Sequence, residues 1–311
     1  MTSPFQTTLK QSVSCSGIGI HTGTPSFMTL KPAAPNTGII FIRTDIEDCP
    51  QIPARSEFVI DAHHHTKIGL PHGPSVGTIE HLMAAFSGMG IDNAFVEING
   101  EEVPIMDGSA APFLFLIECA GSEEQKTPRQ FLEIIKTVEV IEGNRIARLS
   151  PAPHFSIEFD MHFRAQSGFP AQKFFFTHRP ESFRFDIACA RTYGFFEDAD
   201  ILRSQGLALG GSLKNAVIFK DGSVLNDEGL RYEDECVRHK VLDAIGDLAL
   251  TGYPIKGHFY GSSSGHYLNH QLLFTLLNDP SAWRIRQETS MQSIDGSASL
   301  SPSLPSFAFA H

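Results

Sequence analysis

Between Arg238 and Asp247 the chain reads RHKVLDAIGD, five ionisable side chains in ten residues, set among apolar ones. On a helix, His239 and Asp243 stand four apart and project from one face, one turn above the other. Asp247 continues that stripe, drifting a little around the axis. An imidazole and a carboxylate so placed can ligate a divalent metal of the zinc type, which takes nitrogen or oxygen donors at roughly 2.0–2.2 Å. The same spacing also describes an amphipathic helix with its charges in water, and two ligands do not make a site. Glu80 and His81 lie side by side at a predicted helix start, and His81 can supply a third ligand. Three protein ligands, His81, His239 and Asp243, leave one tetrahedral position open for water, the mark of a catalytic rather than a structural centre. None of the five cysteines is spaced to close it.

Hydrolysis of an amide at such a metal also needs a proton acceptor and a donor for the leaving amine. Glu80, next to a ligand, is placed to be the base. GSSSGHYLN, Gly261 to Asn269, offers His266 in a Gly- and Ser-rich loop after a strand. A loop histidine read alone is more often a surface residue. Asp247 can orient that imidazole and hold it protonated, because a nearby carboxylate favours the charged form.

The elements that must position these groups come in two similar runs. The first hundred residues alternate β-rich segments, Phe27 to Leu30 and Gly38 to Ile42, with Pro- and Gly-rich connections. GIGIHTG, Gly17 to Gly23, brackets His21 with glycines, which suits either a hairpin turn or close approach to a ligand. Thr78 to Gly100 predicts a helix with Thr78 as N-cap, a buried face of Leu82, Ala85 and Phe86, and an end at Gly88 and Gly90; a strand follows over Asn93 to Ile98. A turn at Asp107 and Gly108 leads to an apolar helix ending near Gly121, and the polar stretch Gly121 to Gln130 reads as a domain boundary. Strands are then predicted over Phe131 to Ile141, Ala147 to Leu149, Phe155 to Phe159 and Lys173 to Phe176. After the Arg238–Asp247 helix come a strand, Gly257 to Tyr260, and an apolar helix near Asn269 to Leu277. His81 and Gly88 are seven apart, as are His239 and Gly246, which hints at a duplication. Residues 289–311 are Ser- and Pro-rich without periodicity and are expected to form a disordered tail.

Composition excludes several classes of function. The 311 residues are 41% hydrophobic and 19% charged, a globular balance. A net charge of -11 without a Lys/Arg cluster argues against a nucleic-acid partner. The five cysteines, odd in number and without a Cys-x-x-Cys pair, read as free thiols in a reducing compartment. The first residues lack a signal peptide's pattern, and no window approaches 18 uninterrupted apolar residues, so a cytoplasmic protein without a transmembrane segment is expected. His63 to His65, with His72 nearby, are expected to be exposed loop residues, an adventitious second metal being the alternative.

Read in order, TIEHLMAA, MDGSAAPF, ARTYGF, LALGGS, VLNDEGLRYEDE, RHKVLDAIGD and SGH resemble the UDP-3-O-acyl-N-acetylglucosamine deacetylases of lipid A biosynthesis, from about Gln11 to about Leu277. The resemblance implies a cytoplasmic, zinc-dependent amidase of Gram-negative bacteria that removes acetate from an acylated UDP-sugar, with one catalytic zinc or, in the cell, iron(II). It implies an α+β fold of two similar domains, each a sheet plus two helices, with the helices sandwiched between the sheets. We set these at 1–126, carrying Glu80 and His81, and 127–288, carrying the His239/Asp243 helix and the acyl-chain insert; a monomer is expected. Carried over by position, the ligands fall on His81, His239 and Asp243, the base on Glu80 and the acid on His266. Thr192 matches a threonine that helps bind the oxyanion, Asp247 the partner of the acid histidine, and Lys240 a lysine that contacts the sugar nucleotide. Tyr193 stands where the family usually has Phe, and its ring is expected to stack on the sugar. Leu207 to Ile218 matches the insert that forms an acyl passage, with Leu207, Ala208, Gly211, Ser212, Ala216 and Ile218 as its expected lining. A related amidase acting on another acylated sugar, and a non-catalytic sugar-nucleotide or lipid binder, are the competing readings. Glu80 and His266 beside three ligands speak against the binder, since binding alone needs neither base nor acid.

Overall fold

The computed structural model describes residues 3–163 and 169–287. In its first half the main elements are β1 (Val13–Ile18), β2 (Pro25–Pro32), β3 (Ile39–Arg43), β4 (Gln51–Pro53), α1 (Glu80–Met89), β5 (Ala94–Ile98) and α2 (Ala111–Ala120). The second half repeats the order as β6 (Val138–Glu142), β7 (Arg145–Ser150), β8 (Ser156–Met161), β9 (Gln172–Thr177), α3 (Glu235–Leu248), β10 (His258–Ser262) and α4 (His266–Leu277). The two sheets run β1-β2-β5-β3-β4 and β6-β7-β10-β8-β9. In each, one pairing is parallel, β5 with β3 and β10 with β8, and the others are antiparallel. A small three-stranded sheet precedes the first long helix of each half, Val59–Asp61 with Lys67–Gly69 and Ser75–Val76, then Tyr193–Phe195 with Val217–Lys220 and Ser223–Val224. The hint of duplication in the seven-residue spacings is thus matched by topology.

Strand patterning sets the inner face of each sheet. Met28 and Leu30 alternate inward along β2, as do Ile157 and Phe159 along β8. These faces close over the helices, α3 packing on β8 and β9 and α4 on β6 and β7. Helices enclosed this way are buried nearly all round rather than along one stripe. Along α1 all residues from Glu80 to Phe86 are buried, not the Leu82, Ala85 and Phe86 face alone. Along α3 the acidic Glu235, Asp243 and Asp247 are buried too, so the reading of a helix with its charges in water fails.

α1 and α3 cross where Gly246 stands. An ideal Cβ there would lie 2.0 Å from the backbone oxygen of Glu80, and one on Gly88 would lie 2.2 Å from the Phe183 ring. Each site helix therefore carries its glycine where a neighbour presses closest. Gly88 lies within α1; the helix ends at Gly90, whose left-handed φ of 68° lets its N–H reach the Phe86 and Ser87 carbonyls.

Four local expectations change. Phe131 to Ile141 is two strands: Gln130–Ile134 joins Ile255–Lys256 and Trp283–Gln287, and β6 starts a different sheet after the chain bends at Ile135, which donates to the Ala282 carbonyl. Thr78 does not cap α1, because its hydroxyl is taken by Glu102 at 2.7 Å. The polar run after Gly121 forms the strand Ser122–Pro128, paired with Phe5–Leu9, and the 126/127 division falls inside it. His266 opens α4 instead of lying in a loop. The five cysteines are free, and the tail 289–311 lies outside the described residues.

Ala is a better helix former than Gly by ~1 kcal/mol, yet Gly246→Ala should destabilise the protein. The methyl group has no space against the Glu80 carbonyl, and overpacking of this kind costs ~1–3 kcal/mol. Urea unfolding of the variant checks this; unchanged or increased stability would mean that the helices separate freely at the crossing.

Candidate metal centre and active site

The crossing brings the start of α1 against the middle of α3. His81, His239 and Asp243 are all buried, and their ligand atoms lie within 4.8 Å of one another. Asp243 Oδ1 stands 3.2 Å from His239 Nε2 and 3.6 Å from His81 Nε2. The Nδ1–H of His239 is directed at the Ala190 carbonyl, 3.0 Å away, which leaves Nε2 as the free lone pair. Asp243 Oδ1 is buried without a hydrogen-bond partner, while Oδ2 accepts from Lys240 Nζ at 2.8 Å. A buried, unpartnered carboxylate oxygen facing two imidazole nitrogens is costly unless a cation completes it. Nitrogen and oxygen donors in this number fit zinc or a similar divalent ion, the iron(II) alternative included.

Electrostatics around the cluster follow from burial and close carboxylates. Burial raises the Glu80 carboxyl, Asp243 and Asp247 adding to the effect and His266 opposing it, to about 8. Burial alone would lower His266, but Asp247, Asp243 and Glu80 outweigh it and push the imidazole up to about 10. Burial likewise opposes the charge of Asp243, yet His239 and Lys240 hold it well below the usual carboxylate range. His266 Nε2 lies 3.7 Å from Glu80 Oε1 and 3.8 Å from Asp243 Oδ2, so Glu80 and His266 face each other across the cluster.

Asp247 sits behind His266 rather than in the cavity wall. His266 Nδ1 approaches its two oxygens at 3.1 and 2.9 Å, and Asn269 Nδ2 donates at 2.8 Å. Thr66, which sequence reasoning missed, closes the group: its hydroxyl donates to Asp247 Oδ1 at 2.6 Å and its backbone N–H to Glu80 Oε2 at 3.0 Å. Because that hydroxyl proton goes to a carboxylate, the contact with His270 Nε2 at 2.9 Å is one in which the imidazole donates. Asn269 and His270 were legible in principle, three and four residues past His266, had His266 been placed on a helix. Thr66, distant from both helices in sequence, carries no such signal.

The cluster floors a cavity of about 450 Å³. Thr192, Tyr193, Lys240, Ala208, Gly211, Ser212, Ala216 and Ile218 line it, as do the unanticipated Phe195, Phe196, Leu202 and Leu225. Leu207 does not; its N–H instead bonds the Leu202 carbonyl. Lys240 Nζ stands 5.7 Å from the Tyr193 ring centroid, within reach of a cation–π contact. The Tyr193 hydroxyl points to Met161 Sδ at 3.8 Å. GIGIHTG is a hairpin turn, and its His21 also lines the cavity. Glu102 fixes that turn by accepting from the His21 and Thr22 N–H groups. The expectation for the three histidines fails in part: His63 is exposed, but His65 is buried and stacks on His21 with centroids 4.5 Å apart.

Thr66→Val keeps the shape of the side chain but strips a donor from buried Asp247, which should cost ~1–3 kcal/mol in folding stability. Thr66→Ser should recover most of it. Undiminished stability of Thr66→Val in denaturant unfolding would show that the hydrogen bond to Asp247 contributes nothing to folding.

Comparison with known proteins gives the family of the chain. The sequence profile for UDP-3-O-acyl N-acetylglycosamine deacetylase matches residues 6–278. A UDP-3-O-acyl-N-acetylglucosamine deacetylase from Myxococcus xanthus is 47% identical over 280 residues, 90% of this chain and 88% of that protein. One from Acidithiobacillus ferrooxidans is 48% identical over 281 residues, 89% of this chain and 91% of its own length. A third, from Citrifermentans bemidjiense, is 47% identical over 288 residues, covering 92% and 93%. With the match spanning both halves of the fold and every element that meets at the buried cluster, the chain belongs to the UDP-3-O-acyl N-acetylglycosamine deacetylase family.

Proposed function

We propose that the protein hydrolyses the N-acetyl group of UDP-3-O-acyl-N-acetylglucosamine, releasing acetate and the free amine in an early committed step of lipid A biosynthesis. Its relatives carry that activity in their names. The observation that carries the chemistry is the unpartnered Asp243 Oδ1 between two imidazole nitrogens at the foot of a largely apolar cavity. His81, His239 and Asp243 hold one zinc ion, with iron(II) as the alternative in the cell. A divalent cation there polarises a carbonyl, acidifies water and favours the ionised form of Glu80 by its charge.

The protein's own groups do the rest. Glu80 accepts the proton of the attacking water, and His266, held as imidazolium by Asp247, gives a proton to the departing amine. Thr192 places its hydroxyl toward the oxyanion. Lys240 contacts the sugar nucleotide, and the Tyr193 ring stacks on the sugar. Ala208, Gly211, Ser212, Ala216 and Ile218 flank the acyl chain, with Leu207 supporting the turn behind them. In this reading the unit 1–126 brings Glu80 and His81, and the unit 127–288 brings the remaining ligands, the acid and the passage. Among the described residues no helix is long and apolar enough to cross a membrane. We extend the family resemblance to a cytoplasmic monomer.

Replacing His81, His239 or Asp243 by Ala should lose metal and acetate release together, because each supplies one of three protein bonds. Glu80→Gln should keep the metal and lose about 10²-fold or more in rate. Metal analysis after chelation and reloading, paired with acetate release from the acylated UDP-sugar, reads both; metal retained in all three alanine variants would sink the ligand set. Ala216→Phe should penalise long acyl chains and spare short ones. A uniform loss across a chain-length series would assign Ala216 to core packing.

A further inference from the structure

A second cavity, of about 260 Å³, opens at the other end of the helix layer. α1 and the last turn of α3 form its apolar floor through Met83, Phe86, Ile245 and Leu248, and no residue proposed for deacetylation lines it. Its charged lining is Arg55, Arg129 and Lys256 against a single carboxylate, Asp92, in a chain whose net charge is -11. Arg129 is already committed: it pairs with Asp92 at 2.6 Å and donates to the Gly90 carbonyl at the end of α1. Arg55 is different. Among the described residues it has no carboxylate partner; its guanidinium carbon lies 5.8 Å from the Tyr253 ring centroid, over the bare backbone of Gly252.

The second observation is His178. Its ring lines the same cavity, and its Nδ1 is buried with no hydrogen-bond partner. Burial, opposed by the Ser87 backbone, keeps the imidazole down at about 4, so it is neutral near pH 7 and adds no charge to the cavity wall. An apolar floor, a cation without a carboxylate partner and an uncharged imidazole in the wall specify a ligand with a matching layout.

We propose that this cavity binds a small amphipathic anion, with its apolar body on the α1/α3 floor beside the neutral His178 ring and its carboxylate, sulfonate or phosphate head at Arg55. The site is independent of the deacetylase reading, because its readout is binding and its residues lie outside the proposed active site. The local cationic excess selects an anion against the overall field of the chain. The apolar floor discriminates against a bare inorganic anion.

Fluorescence titration of the full-length, metal-loaded protein tests this with three probes. These are 1-anilinonaphthalene-8-sulfonate, its neutral counterpart N-phenyl-1-naphthylamine, and inorganic phosphate as competitor. The sulfonate should bind at least about tenfold more tightly than the neutral dye, as a charge-assisted contact at Arg55 requires. Phosphate alone should displace it poorly. Arg55→Gln should remove the preference for the sulfonate and Arg55→Lys should restore part of it. Ser87→Phe should fill the cavity and abolish binding, with thermal melting confirming a folded protein. Ala216→Phe, which obstructs the acyl passage, should leave this binding intact. Sulfonate binding that survives Arg55→Gln and Ser87→Phe but vanishes in Ala216→Phe would place the dye in the acyl passage and overturn the proposal. Equal affinity for the charged and neutral dyes would overturn it as well, leaving an apolar crevice without an anion site.

Discussion

Gly246 has no side chain, and the Glu80 carbonyl occupies the space one would fill, 2.0 Å from an ideal Cβ. That contact sets how closely α3 passes the first turn of α1. Candidate ligand atoms on two helices far apart in sequence converge within 4.8 Å because the backbones themselves nearly touch there. A larger residue would separate the helices by more than a metal–ligand bond tolerates. The site thus depends on an absence of atoms at one position. The matching glycine of the first half, Gly88, meets the Phe183 ring instead, so the duplicated device serves packing in one half and assembly of the site in the other.

Bringing the helices together also buries charge. Glu80, Asp243, Asp247 and His266 are each at most 8% exposed, and isolated ions so placed would be strongly unfavourable. The fold answers with partners of defined direction. Asp247 receives Thr66, Asn269 and His266, and Asp243 Oδ2 receives Lys240. The exception is Asp243 Oδ1, and it faces the histidines. Among the carboxylate oxygens of Glu80, Asp243 and Asp247 it is the one that is buried and unmet, which is what makes it informative.

The repeated topology explains the frame, and the different placing of the small sheets explains the cavity. In the first half the three-stranded sheet borders the segment that brings His65 and Thr66 to the site. In the second half it carries Tyr193, Phe195 and Ile218 into the cavity wall. The base of that second insert is pinned by Arg191, whose guanidinium meets the fully buried Glu235 at 2.8 Å and the Gly229 carbonyl at 2.7 Å. Variety in the cavity wall is thereby confined to loops and small strands resting on a pair of sheets.

Local chemistry along the chain determined a good deal by itself. The four-residue spacing of His239 and Asp243 implied two ligands on one helix face, the adjacency of Glu80 and His81 implied a base beside a third, and period-two patterning located most strands of both sheets. These features are readable because helix and strand periodicities are properties of the backbone. Tertiary structure alone decided that His266 opens a helix and faces Glu80, that Thr66 bonds both Asp247 and Glu80, and that Phe131 to Ile141 splits between two sheets. It also decided that Leu207 leaves the cavity wall to Ala208 and its neighbours, and that His65 is buried against His21. Most of these depend on groups brought together from distant segments, by the helix crossing at Gly246 or by the sheet that receives a strand. Sequence spacing is blind to such distances, because contacts of that kind arise from packing two halves of the chain against each other and not from the repeat of either one.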